Sequence, residues 1–182
     1  MHSIWTVEPL VQSTTDAFFR YLSDHLSDNG SDETGYFQPL PRGASRLSAE
    51  KEKPFREGLL LPLDSPGWRR AWIARDNDVR IIGHVDLRAR PENCAEHRCL
   101  LGMGVDRCHR NLGLAKRLLD EAKTWAVTAT KLEWIDLQVL SVNARAVRLY
   151  LSAGFFRTGE VPEMFKLDER LFSYTSMTAR IR

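Results

Sequence analysis

The sequence predicts one α/β (α+β) domain, a single mixed sheet with helices on both faces. Three observations predict it. The chain has 182 residues, of which 43% are apolar and 27% charged, enough for one domain with a buried core. Segments of period two interleave with segments of period 3.6 in the order strand, two helices, three strands, helix, strand, helix, strands. No repeat, low-complexity tract or composition break divides residues 1–182, so a single domain is expected.

The elements follow in order. Ile4 to Val7 reads as a first strand. Ser13 to Leu26 places Phe18, Tyr21, Leu22, His25 and Leu26 near helical spacing, and Asn29-Gly30 stops that helix. Residues 30 to 47, rich in Gly, Pro, Ser and Arg, form a long loop of the kind that is often functional. Its Tyr36-Phe37 pair either roofs a pocket or anchors the loop to the core. Ser48 to Leu61 is helical, with Pro54 in an early turn or at the true start. Trp72 to Arg75 and Val79 to Leu87 make a hairpin about Asp76-Asn77-Asp78, and Arg98 to Val105 is the next strand. From Asn111 to Val127, one helical face carries Ala115, Leu118, Leu119, Ala122, Trp125 and Ala126. Trp134 to Leu140 alternates as a strand. Asn143 to Ala153 is a short helix with Asn143 as N-cap and Gly154 as its stop. Strands near Phe155–Thr158, Met164–Leu167 and Ser173–Ile181 complete the chain.

Composition excludes several classes. A net charge of +2 without a clustered basic excess argues against nucleic acid as a partner. No apolar run approaches the ~20 residues that cross a membrane, and the N-terminus lacks a basic segment followed by an apolar run. Cys94, Cys99 and Cys108 are an odd set that suits reduced thiols, so a cytoplasmic protein is expected. Together with His97 and His109 they match no common zinc spacing, and no metal is expected.

The chemistry begins at Arg110-Asn111-Leu112-Gly113-Leu114-Ala115, which reads Arg-x-x-Gly-x-Ala between a strand and an amphipathic helix. A glycine-bearing turn at a helix start leaves main-chain N–H groups unpaired where the dipole favours anions. The run has neither the Gly-x-x-x-x-Gly-Lys-Ser/Thr pattern nor the glycines of a dinucleotide fingerprint. The glycines of Leu101-Gly102-Met103-Gly104-Val105 mark a bulge or the close approach of another backbone to this strand.

This order of elements, with Arg110, Gly113 and Ala115 in a Gln/Arg-x-x-Gly-x-Gly/Ala signature, resembles the GNAT superfamily of acetyl-CoA-dependent N-acetyltransferases over roughly residues 70 to 182. The stretch from Asn143 to Phe155 resembles that family's Asn-x-x-Ala-x-x-Leu-Tyr-x-x-x-Gly-Phe segment and is the more specific match. The resemblance implies a mostly antiparallel sheet split by a cofactor cleft, and acetyl-CoA as the acetyl donor. It places the pyrophosphate on the amides of Arg110, Asn111, Leu112, Gly113, Leu114 and Ala115, and pantetheine on Met103, Gly104, Val105 and Asn143. It makes Tyr150 the acid that protonates the departing thiolate, two helical turns on from Asn143. Many relatives carry glycine directly after the arginine; this chain has Asn111, and asparagine tolerates positive φ better than most residues.

The implied reaction is direct transfer of acetyl to a primary amine in a ternary complex. Its alternative is a catalytically silent acyl-CoA-binding or regulatory domain. Asp86, His84, Asp136 and Gln138 are the candidates to take the amine's proton. Cys108 beside Arg107, His109 and Arg110 has neighbours that could activate a thiol. The first helices and residues 29 to 67, with Tyr36, Phe37 and Phe55, are expected to wall the acceptor pocket, and the tail strands leave a homodimer open.

Overall fold

The computed structural model describes residues 5–182, so Ile4 of the expected first strand lies outside the described residues. Seven strands form one sheet: β1 (Trp5–Pro9), β2 (Arg69–Asp76), β3 (Ile81–Ala89), β4 (Arg98–Val105), β5 (Trp134–Leu140), β6 (Phe156–Leu167) and β7 (Arg170–Arg180). Their spatial order is β1-β2-β3-β4-β5-β7-β6. Every neighbouring pair is antiparallel except β4 with β5. The helices are α1 (Thr15–Ser27), α2 (Ala49–Leu60), α3 (Leu114–Ala129) and α4 (Ala144–Ser152).

Strand alternation sorts the core into two layers. Ala71 and Ile73 of β2 face Phe18 and Phe19 of α1 and Phe55 of α2. Trp72 and Ala74, with Val85, Leu87, Cys99, Leu101, Ile135, Leu137 and Val139, turn the other way onto α3 and α4. On that side Leu118, Leu119, Ala122 and Ala126 of α3 are fully buried, as the spacing of its apolar face requires. The helices therefore cover both faces, α1 and α2 on one and α3 and α4 on the other.

Two elements differ from the sequence reading. Pro54 is the sixth residue of α2, neither at its start nor in its first turn, so one intrahelical bond is missing. Tertiary contacts hold the helix: Phe55 is buried, and Arg56 reaches Thr15 at 2.7 Å and Asp16 at 2.6 Å on α1. The two short strands expected after Gly154 form one long strand, β6, interrupted by bulges between Arg157 and Gly159 and between Val161 and Phe165. The second bulge takes up Pro162 and Glu163, whose φ is +50°. Because β6 is an edge strand, a proline there need not break a ladder between two neighbours.

Residues 30–47 hold only an isolated bridge between Ser31 and Gly35 and a 3-10 turn at Arg42–Ala44. The buried Asn29 organises this loop. Its Oδ1 accepts from the N–H groups of Phe37 and Gln38, and its Nδ2 donates to Leu40 O and Ser45 Oγ. The far end of the loop is fastened to the β6–β7 turn, where Asp168 accepts from the Tyr36 hydroxyl and the Arg42 N–H.

Candidate active site

The sheet divides between β4 and β5. Their parallel pairing covers only Arg98–Leu100 against Trp134–Asp136. Beyond that point β4 stays with β3 through Val105, and β5 stays with β7 through Leu140. A cleft opens between the two halves with Leu101 to Val105 along one wall.

Register decides which groups face it. Asp106 donates its N–H to Ile82 O at 2.9 Å, so the even-numbered residues of β4 turn their main chain to β3. Leu101, Met103 and Val105 turn theirs toward β5, where pairing has ended. The main-chain groups of Met103 and Val105 therefore face the cleft. Those of Gly104 do not: its main chain belongs to the β3 side, and its missing side chain serves packing on the α1 face. A Cβ there would lie 2.5 Å from His25 Nε2 and 2.8 Å from His84 Cε1. Gly102 is similar, since a Cβ would meet Asp86 Oδ1 at 3.0 Å and Arg88 Nη1 at 3.1 Å. What approaches these glycines is side chains of neighbouring elements, neither a bulge nor another backbone.

At the open end of the cleft, Asn111 and Gly113 both adopt left-handed φ, +65° and +83°, and Gly113 caps α3. Among the described residues, no N–H from Asn111 to Lys116 has a partner within the chain. Six donors thus gather at the positive end of a 16-residue helix. The Arg110 side chain is not part of that display. It folds back, with Nε 3.2 Å from Val105 O, Nη1 3.1 Å from Thr34 Oγ1 and Nη2 4.0 Å from Asp28. The guanidinium braces the turn and takes up the Val105 carbonyl, leaving the Val105 N–H for a ligand.

On α4, Asn143 Oδ1 caps the helix by accepting from the Ala146 N–H at 3.2 Å, so its Nδ2 is the group left to donate. Tyr150 is buried in the α3–α4 layer with its ring 5.7 Å from that of Phe155. Its hydroxyl has no partner within the described chain and is not sealed from solvent. Burial pushes the phenol well above its ordinary pKa, so it keeps its proton at neutral pH.

The proton-accepting candidates fare differently. Asp86 is gripped by Arg69 and Arg88, both at 3.2 Å. Asp136 is bound by Arg90, Arg98 and Thr178, and these hydrogen bonds hold its carboxyl below the usual range against the opposing effect of burial. His84 is buried and stays neutral, its pKa lowered by burial to about 4, with Nδ1 3.2 Å from the Tyr21 hydroxyl. Gln138 is exposed on β5, two residues past the last β4–β5 pair, Leu100 with Asp136. Sequence reasoning noted Tyr21 and His25 only as members of an apolar stripe. Tyr21 also donates to Gly104 O at 3.3 Å, and His25 Nδ1 is buried without a partner. Cys108 is exposed, but the basic side chains beside it are engaged elsewhere: Arg107 by Asp28, His109 by Asp106 and Arg110 as above. No helix among the described residues is long and apolar enough to cross a membrane.

A sheet split between its fourth and fifth strands, with free amides at one end of the gap, defines a site for an extended anionic ligand. The Acetyltransferase (GNAT) family model matches residues 36–155, and the chain belongs to that family. It is 28% identical over 97 residues to the N-terminal acetyltransferase A complex catalytic subunit NAA10 of Arabidopsis thaliana, covering 53% of this chain and 50% of that one. The corresponding subunit ard1 of Schizosaccharomyces pombe is 29% identical over 82 residues, 44% of this chain and 46% of that one. The chain thus spans about half the length of the curated relatives it matches. Among solved structures, a GNAT-family acetyltransferase from Streptococcus pneumoniae superposes with a TM-score of 0.79 at 22% identity, covering 98% of this chain and 99% of that one. Spermidine N-acetyltransferase from Vibrio cholerae in complex with CoA and spermine gives 0.72 at 20% identity, covering 98% and 96%. Acetyl-CoA is the acetyl donor of the family, and the row of free amides and the open strand edge fit such a molecule.

Proposed function

We propose that the protein transfers the acetyl group of acetyl-CoA directly to a primary amine within a ternary complex. The observation that carries this reading is the parting of β4 from β5, with unpaired amides from Asn111 to Lys116 at one end. When bound, acetyl-CoA supplies an acetyl group activated as a thioester. Amides of residues 111–116 hold its phosphates, main-chain groups of Met103 and the Val105 N–H hold the pantetheine arm, and Asn143 Nδ2 donates to it. An N–H on β4 facing the cleft stabilises negative charge that develops on the acyl oxygen. Tyr150 keeps its proton until the sulfur departs and then gives it up. The amine's proton passes to solvent, reached beside exposed Gln138, because both nearby carboxylates are already paired. NAA10, ard1 and the spermidine enzyme are acetyltransferases by name, which supports an amine acceptor in general.

The same pairing of Asp86 and Asp136 favours a second reading, a domain that binds acyl-CoA without turning it over. Release of CoA with a panel of amines separates the two. Acetyl-CoA bound without release on any amine selects the silent domain. Calorimetry tests the site itself: Gly113→Trp should abolish tight acetyl-CoA binding, and equal binding by both proteins removes the phosphate assignment. Tyr150→Phe should lower kcat about ten-fold or more with little change in acetyl-CoA affinity, since proton donation contributes at least that much.

A further inference from the structure

The α1–α2 face of the cleft, the one the sequence reading gives to the acceptor, carries an unbalanced charge. Asp86 of β3 is almost fully buried, its side chain 6% exposed, and two guanidiniums share its carboxylate. Arg69 reaches it from β2 with 19% of its side chain exposed, and stacks on Phe55 of α2 at 4.0 Å. That pair alone neutralises the carboxylate and is fixed by packing. Arg88 adds a second positive charge, and at 35% exposure it is the one that meets solvent.

Arg88 is also the one placed at the cleft. Its own partner across the ladder is Leu100, at the closed end where β4 and β5 still pair. Its head group leans along β4 to lie over Gly102, at the level where the strands have parted. Its charge is felt by the Tyr174 phenol on β7, across the gap, where it opposes the effect of burial. The cleft floor near Gly102 therefore shows an incoming acceptor a partly hydrated cation, and no unpaired carboxylate among the described residues. The second buried carboxylate of this face, Asp136, is enclosed by Arg90, Arg98 and Thr178.

From this juxtaposition we infer that Arg88 selects an acceptor that carries a carboxylate close to its reactive amine, and that polyamines are disfavoured. This deepens the acetyl-transfer reading and rests on it. The acceptor's carboxylate accepts from Arg88, its neutral amine lies on the cleft side of that guanidinium, and Asp86 remains paired with Arg69. Two sources share this chemistry, a free acidic amino acid and the N-terminus of an acidic peptide. A polyamine would bring further ammonium groups against Arg88, where like charges repel.

The test measures CoA release with free glutamate, a peptide beginning with Glu, the same peptide beginning with Gln, and spermidine. A preference of about ten-fold or more for the Glu peptide over the Gln peptide is expected, the scale of one charge-assisted hydrogen bond. In Arg88→Gln the ratio should fall toward one, and Arg88→Lys should restore part of it. Faster turnover of free glutamate than of the Glu peptide assigns the site to amino acids, and the reverse assigns it to peptides. Equal use of Glu and Gln peptides, a preference that survives Arg88→Gln, or spermidine as the best acceptor overturns the inference. Calorimetric titration of the Glu peptide into CoA-loaded protein separates its failure from that of the reading beneath it. Arg88-dependent binding without turnover of any amine refutes acetyl transfer and keeps the groove. Binding that does not depend on Arg88 refutes the groove. Should Arg88→Gln not fold, the wild-type panel and Arg88→Lys decide alone.

Discussion

Mild acid should destabilise this protein through two histidines packed over one glycine. His25 of α1 and His84 of β3 are both buried, with ring centroids 6.0 Å apart above Gly104. Burial holds both neutral, lowering His25 to about 3 and His84 to about 4 from the ordinary 6.5. Around His25, a charged His84, Arg110 and Arg107 reinforce the effect and Asp106 opposes it. Around His84, Arg69 reinforces it and Asp86 opposes it.

Because both folded-state values lie below the unfolded one, the unfolded chain binds more protons across the interval. Stability present above pH 6.5 is therefore lost as the pH falls toward 4, and for His25 toward 3. Lowering the pH from 7.5 to 5 costs about 2 kcal/mol for each group, or about 4 kcal/mol together. That is a large part of the 5–15 kcal/mol, roughly, that holds a domain folded. Asp136 and Asp106, whose carboxyls are held low, lose their contribution only below about pH 4, so they do not act in this window. Urea denaturation at pH 7.5, 6.5, 5.5 and 5.0 should show the midpoint falling throughout. In a His25→Gln, His84→Gln double variant that fall should nearly vanish. A wild-type loss below about 1 kcal/mol, or a slope that the double variant retains, would refute the reasoning.

Other substitutions probe the neighbouring geometry. Gly104→Ala puts a methyl group 2.5 Å from His25 Nε2 and 2.8 Å from His84 Cε1, so it should cost about 1–3 kcal/mol as overpacking, read as a lower Tm. Asn111→Val forces a β-branched residue into φ +65°, which should cost about 1–3 kcal/mol in the turn before α3 and weaken acetyl-CoA binding in calorimetry. An unchanged affinity for Asn111→Val would show that the turn does not need the left-handed conformation to present its amides.

Some of the site is local and therefore readable. Asn143 caps α4 and Gly154, with φ +86°, ends the helix, as side-chain type and spacing demand. Gly113 opens α3 for the same reason, and the burial of Leu118, Leu119, Ala122 and Ala126 follows from a period of 3.6. The place of Pro54 was not readable, because what keeps α2 intact is Arg56 bound to Thr15 and Asp16 on another helix. Arg110 shows the same limit. Its type and place name an anion site, yet Asp28, Thr34 and Val105 turn its side chain inward and leave the main chain for the ligand.

The sequence by itself determined most of the elements, the α3 turn and the α4 cap, because each depends on torsions and contacts within a few residues. Tertiary structure alone decided that Gly102 and Gly104 make room for Asp86, Arg88, His25 and His84. Those contacts depend on the register of β3 against β4 and on α1 crossing above them, and no spacing along the chain encodes either. For the same reason, the charge on the α1–α2 face of the cleft appears only once Arg69 and Arg88 are brought to one buried carboxylate.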